Sequence, residues 1–188
     1  MIKAIIFDLF GVIYADGKEL LYEQCSPGSR DKLRDAISLS DHGLISKREY
    51  LKIAAPLIGW TPEQLDKFSM QHHIPNERLI AYIYTLRTKV RTALLSNVGK
   101  NVVNRLLTEK DKQELFDVVA LSSEIGSTKP SSQVYEYTLK KLEVDASECV
   151  MVDDLLVNVE GAKAVGMYGI VYTSIDQTIT EIEGLLNA

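Results

Sequence analysis

Six polar residues in this chain of 188 stand where they could act together on a charged ligand. Each of them either follows a short apolar segment or lies in a loop ahead of a helix pattern. They are Asp8, Ser96, Asn97, Lys129, Asp153 and Asp154. Carboxylates, a hydroxyl, an amide and a lysine together can bind a metal ion and an anion. Because the metal ligands would be hard oxygen atoms, the set favours Mg²⁺, which proteins usually hold with carboxylates, substrate phosphate and water.

Asp8 is the clearest of these residues. It ends the run 5–7 (Ile-Ile-Phe), whose β-branched and aromatic residues predict a strand buried on both faces, and Gly11 indicates a turn just beyond. A carboxylate at the carboxyl end of such a strand lies where open α/β sheets bind their ligands. Burying it without a partner would cost on the order of several kcal/mol or force it to take up a proton. The alternative is that Asp8 only caps the next segment.

The segments that would position the six residues alternate between strand and helix patterns. Strands are predicted at 90–95, 116–121, 149–152 and 168–172, and helices at 78–87, 101–107, from Ser131 or Ser132 onward, around 161–164, and at 176–186. This alternation predicts a parallel, right-handed βαβ sheet covered by helices on both faces. Parallel strands end at one edge of a sheet, so the polar residues should meet there. The alternative, a set of separate helix N-caps, explains neither a lysine nor a doubled aspartate.

Residues 16–74 carry no strand pattern and predict three or four short helices. One of them begins with a capping box, in which Ser46 precedes Glu49 by three residues. We predict that residues 16–74 form a helical cap domain and that residues 1–15 and 75–188 form the core domain. The alternative is that the helices belong to one mixed domain.

Four motifs of the chain resemble those of the haloacid dehalogenase (HAD)-like hydrolase superfamily, and they occur in the family's order. They are Phe7-Asp8-Leu9-Phe10-Gly11-Val12, Leu95-Ser96-Asn97, Lys129-Pro130 with Tyr135, and Val152-Asp153-Asp154 with Asn158. The helical segment falls between the first and second motifs, where the family inserts its type-1 cap. Residues 43–50 resemble the cap of small sugar-phosphate phosphatases and of the epoxide-hydrolase phosphatase domain. The resemblance implies an α/β fold, a Rossmann-like parallel sheet with an inserted all-helical cap.

The resemblance also implies a role for each site residue. Asp8 would be the nucleophile that forms an aspartyl-phosphate, and Lys129 would neutralise both Asp8 and the charge that develops on the phosphoryl group. The residues that bind the phosphoryl group would be Ser96, Asn97 and Lys129. The ligands of Mg²⁺ would be Asp8, the carbonyl of Phe10, Asp153 and Asp154.

Phe10 departs from the phosphatase pattern. The family's phosphatases usually carry a second aspartate two residues after the nucleophile, where it acts as general acid and base. A phenylalanine side chain cannot transfer protons, and general acid–base catalysis is typically worth about 10²–10⁴-fold in rate. We therefore predict a Mg²⁺-dependent phosphatase of small phosphorylated metabolites that turns over slowly.

Two alternatives stay open. One is a metal-free 2-haloacid dehalogenase, a branch that often has an aromatic residue at this position and that uses a cap arginine, here Arg30 or Arg34. Against it, Asp153 and Asp154 would place negative charge beside a halide and a substrate carboxylate. The other alternative is a catalytically impaired family member that acts by binding a ligand or partner.

Composition restricts the partners that this chain is expected to have. The net charge of −5 argues against nucleic acid and anionic membranes, and no apolar run approaches the roughly 20 residues of a transmembrane helix. The two cysteines are predicted to be unpaired, which favours the cytoplasm. The predicted partner is a small phosphorylated molecule. The three histidines, His42, His72 and His73, are predicted to lie on the surface or to pack within the cap.

Overall fold

Five parallel strands form the centre of the computed structural model, which describes residues 1–188. They are β1 (Ala4–Phe7), β2 (Arg91–Ser96), β3 (Val118–Leu121), β4 (Cys149–Asp153) and β5 (Tyr168–Val171). The strands pair in the order β3-β2-β1-β4-β5. β1 therefore lies in the middle of the sheet, and its four residues are all buried, which explains its continuous apolar sequence. The predicted parallel α/β fold is confirmed.

Ten α-helices accompany the sheet. They are α1 (Lys18–Glu23), α2 (Arg30–Asp41), α3 (Lys47–Leu57), α4 (Pro62–His72), α5 (Glu77–Leu86), α6 (Glu109–Leu115), α7 (Ser122–Ile125), α8 (Ser132–Leu142), α9 (Leu156–Ala164) and α10 (Ile175–Leu186). The first four follow β1 and precede β2, and residues 16–74 contribute no strand to the sheet. None of the helices combines the length and apolar character needed to span a membrane.

The sheet has an apolar layer on each face, because successive strand residues point to opposite sides. On one side Ile5 and Phe7 pack in a cluster with Leu79 of α5 and Ile182 of α10. On the other side Ile6 packs in a second cluster with residues of α8 and α9. The central strand is thus fixed from both sides, and so is the position at which Asp8 leaves it.

Helices α1 to α4 have an apolar cluster of their own. Its buried members are Leu21, Cys25, Leu33, Ala54, Ala55, Ile58 and Leu65. The helices also contact the sheet region through polar groups. Asp66 of α4 accepts two hydrogen bonds from Arg105, at 2.6 and 3.1 Å, and pairs with Lys47 of α3 at 2.5 Å. The hydroxyl of Ser122 donates to the backbone carbonyl of Asp41, at the end of α2.

The helix predicted at 101–107 is wrong. Asn101 has a φ of 65°, in the left-handed region, and only a 3₁₀ turn at Val103–Arg105 follows it. The α-helix of this region, α6, begins at Glu109, eight residues later than predicted. Its start is capped by Thr108 and Asp111: the N–H of Thr108 donates to the Asp111 carboxylate at 2.9 Å, and the N–H of Asp111 donates to Thr108 Oγ1 at 3.1 Å. The capping box Thr-x-x-Asp was the local signal for this start.

The capping box at the start of α3 gives a stability prediction. Ser46 Oγ accepts a hydrogen bond from the backbone N–H of Glu49 at 3.3 Å, and the Glu49 carboxylate accepts from the backbone N–H of Ser46 at 2.8 Å. Ser46→Ala should lower the free energy of unfolding by about 1 kcal/mol, the usual cost of losing such a cap. Ser131→Ala is the matched control, since Ser131 precedes α8 without a side-chain capping bond. Urea denaturation measures both changes, and equal losses would contradict the prediction.

Candidate active site

The predicted site residues converge at the carboxyl edge of the sheet. Asp8 directly follows β1, Ser96 ends β2 and Asp153 ends β4, and these three strands are neighbours. Lys129 reaches the same edge from the loop before α8. Its ammonium group lies 2.8 Å from Asp8 Oδ1 and 2.6 Å from Asp153 Oδ2. One lysine therefore stands between two buried carboxylates.

Lys129 is held in place by several contacts. Its side chain is 1% exposed, and Nζ also donates to the carbonyl of Leu95 at 3.1 Å. The side-chain amide of Asn97 binds both sides of the Lys129 backbone. It accepts from the N–H of Lys129 at 2.9 Å and donates to the carbonyl at 3.0 Å. Asn97 thus fixes the loop that carries the lysine.

Asp153 is fully buried, and both of its oxygens have partners. Oδ1 accepts from the backbone N–H of Leu155 and from the Asn158 amide, each at 2.9 Å, while Oδ2 is bound by Lys129. Asn158 is itself held in place, because Tyr135 Oη donates a hydrogen bond to its backbone carbonyl at 2.7 Å. The carboxylate of Asp153 therefore orients the lysine and is oriented by the start of α9.

Asp154 completes a group of three carboxylates with Asp8 and Asp153. One oxygen atom from each lies within 4.8 Å of the others, which is a spacing that one metal ion can bridge. Gly11 allows this approach. It has a φ of 85°, and a Cβ at this position would lie 2.3 Å from Asp154 Oδ2. The glycine of the first motif thus suits both the left-handed backbone at this position and the close approach of the Asp154 carboxylate.

The site has more negative than positive charge. Burial raises the pKa of Asp8 to about 6; Lys129 opposes this shift, and Asp153 adds to it. Burial also raises the pKa of Asp154, with a further contribution from Asp153. Three neighbouring carboxylates with one lysine suit a hard divalent cation, because its charge would relieve their repulsion. The residues present therefore fit Mg²⁺.

Phe10 lies beside a histidine that the sequence did not assign to the site. The ring centroids of Phe10 and His73 are 4.5 Å apart, and both side chains line a cavity of about 130 Å³. His73 Nδ1 is buried without a hydrogen-bond partner. His73 is half-buried and packs at the end of α4, as predicted, but its place in the wall of this cavity was not predicted. His72 also fits the prediction of a surface or cap-packing residue, since its Nδ1 lies 2.8 Å from the Phe68 carbonyl within α4.

Charged residues in the same cavity were also missed. They are Asp16, Lys18, Asp41, Lys47, Asp66 and Arg105. The arginines proposed for a dehalogenase, Arg30 and Arg34, do not line the cavity, and Arg34 pairs with Asp31 on the surface. Asp16 and Lys18 come four and six residues after the first motif, and His73 lies next to the end of the segment 16–74. The two places where the chain passes between the sheet and this segment were therefore the signal in the sequence.

The family model of haloacid dehalogenase-like hydrolases matches residues 2–166. The chain belongs to this family. The HAD-like chain is 25% identical over 198 residues to the phosphorylated carbohydrates phosphatase of Thermotoga maritima, covering 93% of this chain and 88% of that protein. It is 31% identical over 113 residues to the sesquiterpene phosphatase astK of Aspergillus oryzae, covering 60% of this chain and only 58% of the relative.

A solved structure shows the same fold. It is a HAD family enzyme from Bacteroides thetaiotaomicron, the wild-type protein in complex with magnesium and inorganic phosphate. The TM-score is 0.73 at 21% identity, and the match covers 93% of this chain and 96% of that one. At this identity the similarity establishes the architecture, while the chemistry of the HAD-like chain has to be argued from its own residues.

The contact between Gly11 and Asp154 gives a second prediction. Gly11→Ala should lower the free energy of unfolding by at least about 1 kcal/mol more than Gly59→Ala, because overpacking adds to the backbone strain. Gly59 is the matched control, since it has a similar φ of 72° but nothing within 4 Å of a built Cβ. Gly59→Ala by itself should lower the free energy of unfolding by about 1–2 kcal/mol, because alanine would have to adopt the left-handed conformation. Chemical denaturation of both variants measures the difference, and equal losses would show that the carboxylate contact costs nothing.

Proposed function

We propose that this protein is a Mg²⁺-dependent phosphatase of small phosphorylated molecules. In this proposal residues 16–74 act as a helical cap over a core formed by residues 1–15 and 75–188. The observation that carries the proposal is Lys129, which lies 2.8 Å from Asp8, beside a cluster of carboxylates that suits a divalent cation. The family relatives named as phosphatases support the same class of reaction.

Asp8 is the proposed nucleophile. Its Oδ1 accepts a hydrogen bond from the backbone N–H of Leu9 at 2.7 Å and contacts Lys129, and neither of these bonds uses Oδ2. In the first step Oδ2 forms a bond to phosphorus while the bond from phosphorus to the alcohol oxygen breaks. The leaving group departs as an alkoxide and takes a proton from solvent to become the alcohol. In the second step water attacks the aspartyl-phosphate, gives its proton to solvent, and releases inorganic phosphate and the free Asp8 carboxylate.

Cations have to stand between the nucleophile and the phosphate, because both are anions. Lys129 supplies one positive charge next to Asp8. Asp8, Asp154 and the carbonyl of Phe10 would hold Mg²⁺, with Asp153 as a direct or supporting ligand. When bound, Mg²⁺ would neutralise the phosphoryl oxygens and orient them for in-line attack. Ser96 and Asn97, at the end of β2, complete the proposed phosphoryl-binding side of the site.

The phenylalanine at position 10 leaves two alternative functions open. Its aromatic ring favours a 2-haloacid dehalogenase, but three carboxylates within 4.8 Å of one another oppose the binding of a halide and a substrate carboxylate. The absence of a proton-transferring side chain at this position also favours a protein that binds phosphate esters without turning them over. We further propose a cytoplasmic location, since Cys25 and Cys149 are both free, as is usual in a reducing compartment.

Hydrolysis of p-nitrophenyl phosphate tests the proposed function. The wild-type protein should release p-nitrophenol only when Mg²⁺ is present. Asp8→Asn should abolish release because the nucleophile is lost. Asp154→Asn should raise the Mg²⁺ concentration required by at least about tenfold because a metal ligand is lost. Asp35→Asn, an exposed change on α2, is the control and should behave as wild type.

The same assay distinguishes the alternatives. Metal-independent release of chloride from 2-chloropropionate would replace the phosphatase proposal with the dehalogenase. A Mg²⁺-dependent thermal shift without turnover of any phosphate ester would favour the protein that acts by binding.

Replacing Phe10 tests whether the missing acid limits the rate. Phe10→Asp would place a carboxylate two residues after Asp8, and turnover of p-nitrophenyl phosphate should rise by at least about tenfold. Phe10→Leu is the control, because it removes the ring contact with His73 without adding an acid. Loss of that contact could cost up to about 3–5 kcal/mol, so the folding of both variants is checked by circular dichroism. A folded Phe10→Asp variant that binds Mg²⁺ but turns over no faster than wild type would refute the idea.

A further inference from the structure

The cavity beside the carboxyl edge of the sheet holds two charged side chains that the proposed phosphoryl transfer does not use. Its volume of about 130 Å³ is small compared with the roughly 300–1,000 Å³ of pockets for drug-sized ligands. Three of its six charged lining residues already pair with one another, since Asp66 binds both Lys47 and Arg105. Lys18 and Asp41 are the two charged residues whose placement calls for a ligand.

Lys18 is the first residue of α1, ten positions after the proposed nucleophile. Its side chain lines the cavity and is 39% exposed, and its only ion pair is a long one, 3.7 Å from Asp16 Oδ2. Burial opposes its charge, but the carboxylates of Asp16, Asp41 and Asp8 together raise the pKa of Lys18. The ammonium group therefore stays charged, with donor positions available to a molecule in the cavity.

Asp41 is the last residue of α2, and its carboxylate also lines the cavity. It forms no ion pair within 4.0 Å, with Lys18 or any other cation, and no side-chain hydrogen bond. Its backbone carbonyl accepts a hydrogen bond from Ser122, so the residue is fixed to the sheet region. Burial raises the pKa of Asp41 to about 7. A carboxyl group that is fixed, largely enclosed and unpaired faces the same space as Lys18.

We propose that Lys18 and Asp41 select the substrate by binding a hydroxyl group on its alcohol portion. Lys18 would donate a hydrogen bond to the hydroxyl oxygen, and the Asp41 carboxylate would accept a hydrogen bond from the hydroxyl group. An anionic group in the same place would be repelled by the ionised form of Asp41 and a cationic group by Lys18, whereas a hydroxyl can form a hydrogen bond with both. This inference rests on the proposed phosphatase function and names its substrate class, the phosphate monoesters of small polyhydroxy alcohols.

The lining of the cavity suits a short alcohol. The apolar residues around the two charges, among them Leu21, Ile37 and Val98, would contact the carbon atoms of a short chain. A substrate without the hydroxyl would fill this space but leave both charged groups unpaired, and sites built in this way discriminate strongly.

Two probes of equal carbon number test the proposal: sn-glycerol 3-phosphate and propyl phosphate. For the wild-type protein with Mg²⁺, kcat/KM should be at least about tenfold higher for glycerol phosphate. In Lys18→Met and in Asp41→Asn this ratio should fall below about threefold, through loss with glycerol phosphate rather than gain with propyl phosphate. Lys18→Arg keeps the charge and should retain most of the preference.

Matched controls separate these effects from general damage. Lys67→Met and Asp35→Asn are the same substitutions at exposed positions outside the cavity, and both should keep the wild-type ratio. Isothermal titration of the Asp8→Asn variant with Mg²⁺ and each probe measures the preference without turnover. Adding Lys18→Met or Asp41→Asn to the Asp8→Asn variant should remove the binding preference for glycerol phosphate over propyl phosphate.

The outcomes distinguish this proposal from the phosphatase proposal. Preferential binding of glycerol phosphate without hydrolysis of any ester would support the role of the two residues and refute the phosphatase. Hydrolysis of both probes at equal kcat/KM, with equal binding, would refute the role of the residues and leave the phosphatase standing. Binding of neither probe, or a preference for O-phospho-L-serine or farnesyl phosphate over glycerol phosphate, would overturn the assigned substrate class.

Discussion

The contact of Lys129 with Asp8 and Asp153 is the constraint on which the rest of the site depends. Nζ lies within 2.8 Å of both carboxylates, and all three side chains are buried. Removing the lysine would leave the carboxylates of Asp8 and Asp153 buried side by side without a positive charge. Breaking a buried ion pair in this way is strongly destabilising. The same lysine lowers the repulsion that an incoming phosphate would meet at Asp8. The positive charge of Lys129 beside Asp8 is therefore needed both for stability and for the proposed catalysis.

The order of the strands makes this contact possible. β2, β1 and β4 are neighbours, so the residues at their carboxyl ends are brought together without any long loop. Apolar layers on both faces fix these strands, and the start of α9 fixes Asp153 through Leu155 and Asn158. Gly11 leaves room for the Asp154 carboxylate, which would have to move if this position carried a Cβ. The side of the site that carries the three carboxylates is thus built on backbone that these contacts hold in place.

The cavity side of the site differs in character. Phe10 contacts His73 where the family's phosphatases usually have an acid, and Lys18 and Asp41 face the cavity from the helical insert. The groups that would bind phosphate and metal are retained, whereas the group that would move protons is replaced by an apolar ring. This combination favours binding over rapid turnover. In our proposal, the choice of substrate lies with the helices α1 to α4.

The sequence by itself determined the features that depend on neighbouring residues. The buried strand before Asp8, the capping box at Ser46 and the polar residues after each strand are patterns of a few positions, and a parallel sheet brings strand ends together by its geometry alone. The sequence pattern at 101–107 wrongly predicted a helix, because the left-handed backbone of Asn101 interrupts it.

Only the tertiary structure decided the lining of the cavity. Phe10 and His73 are 63 positions apart in the chain, and Arg105 meets Asp66 across a separation of 39 residues. Contacts of this kind follow from how the helical insert packs on the sheet, a relation that no local spacing encodes.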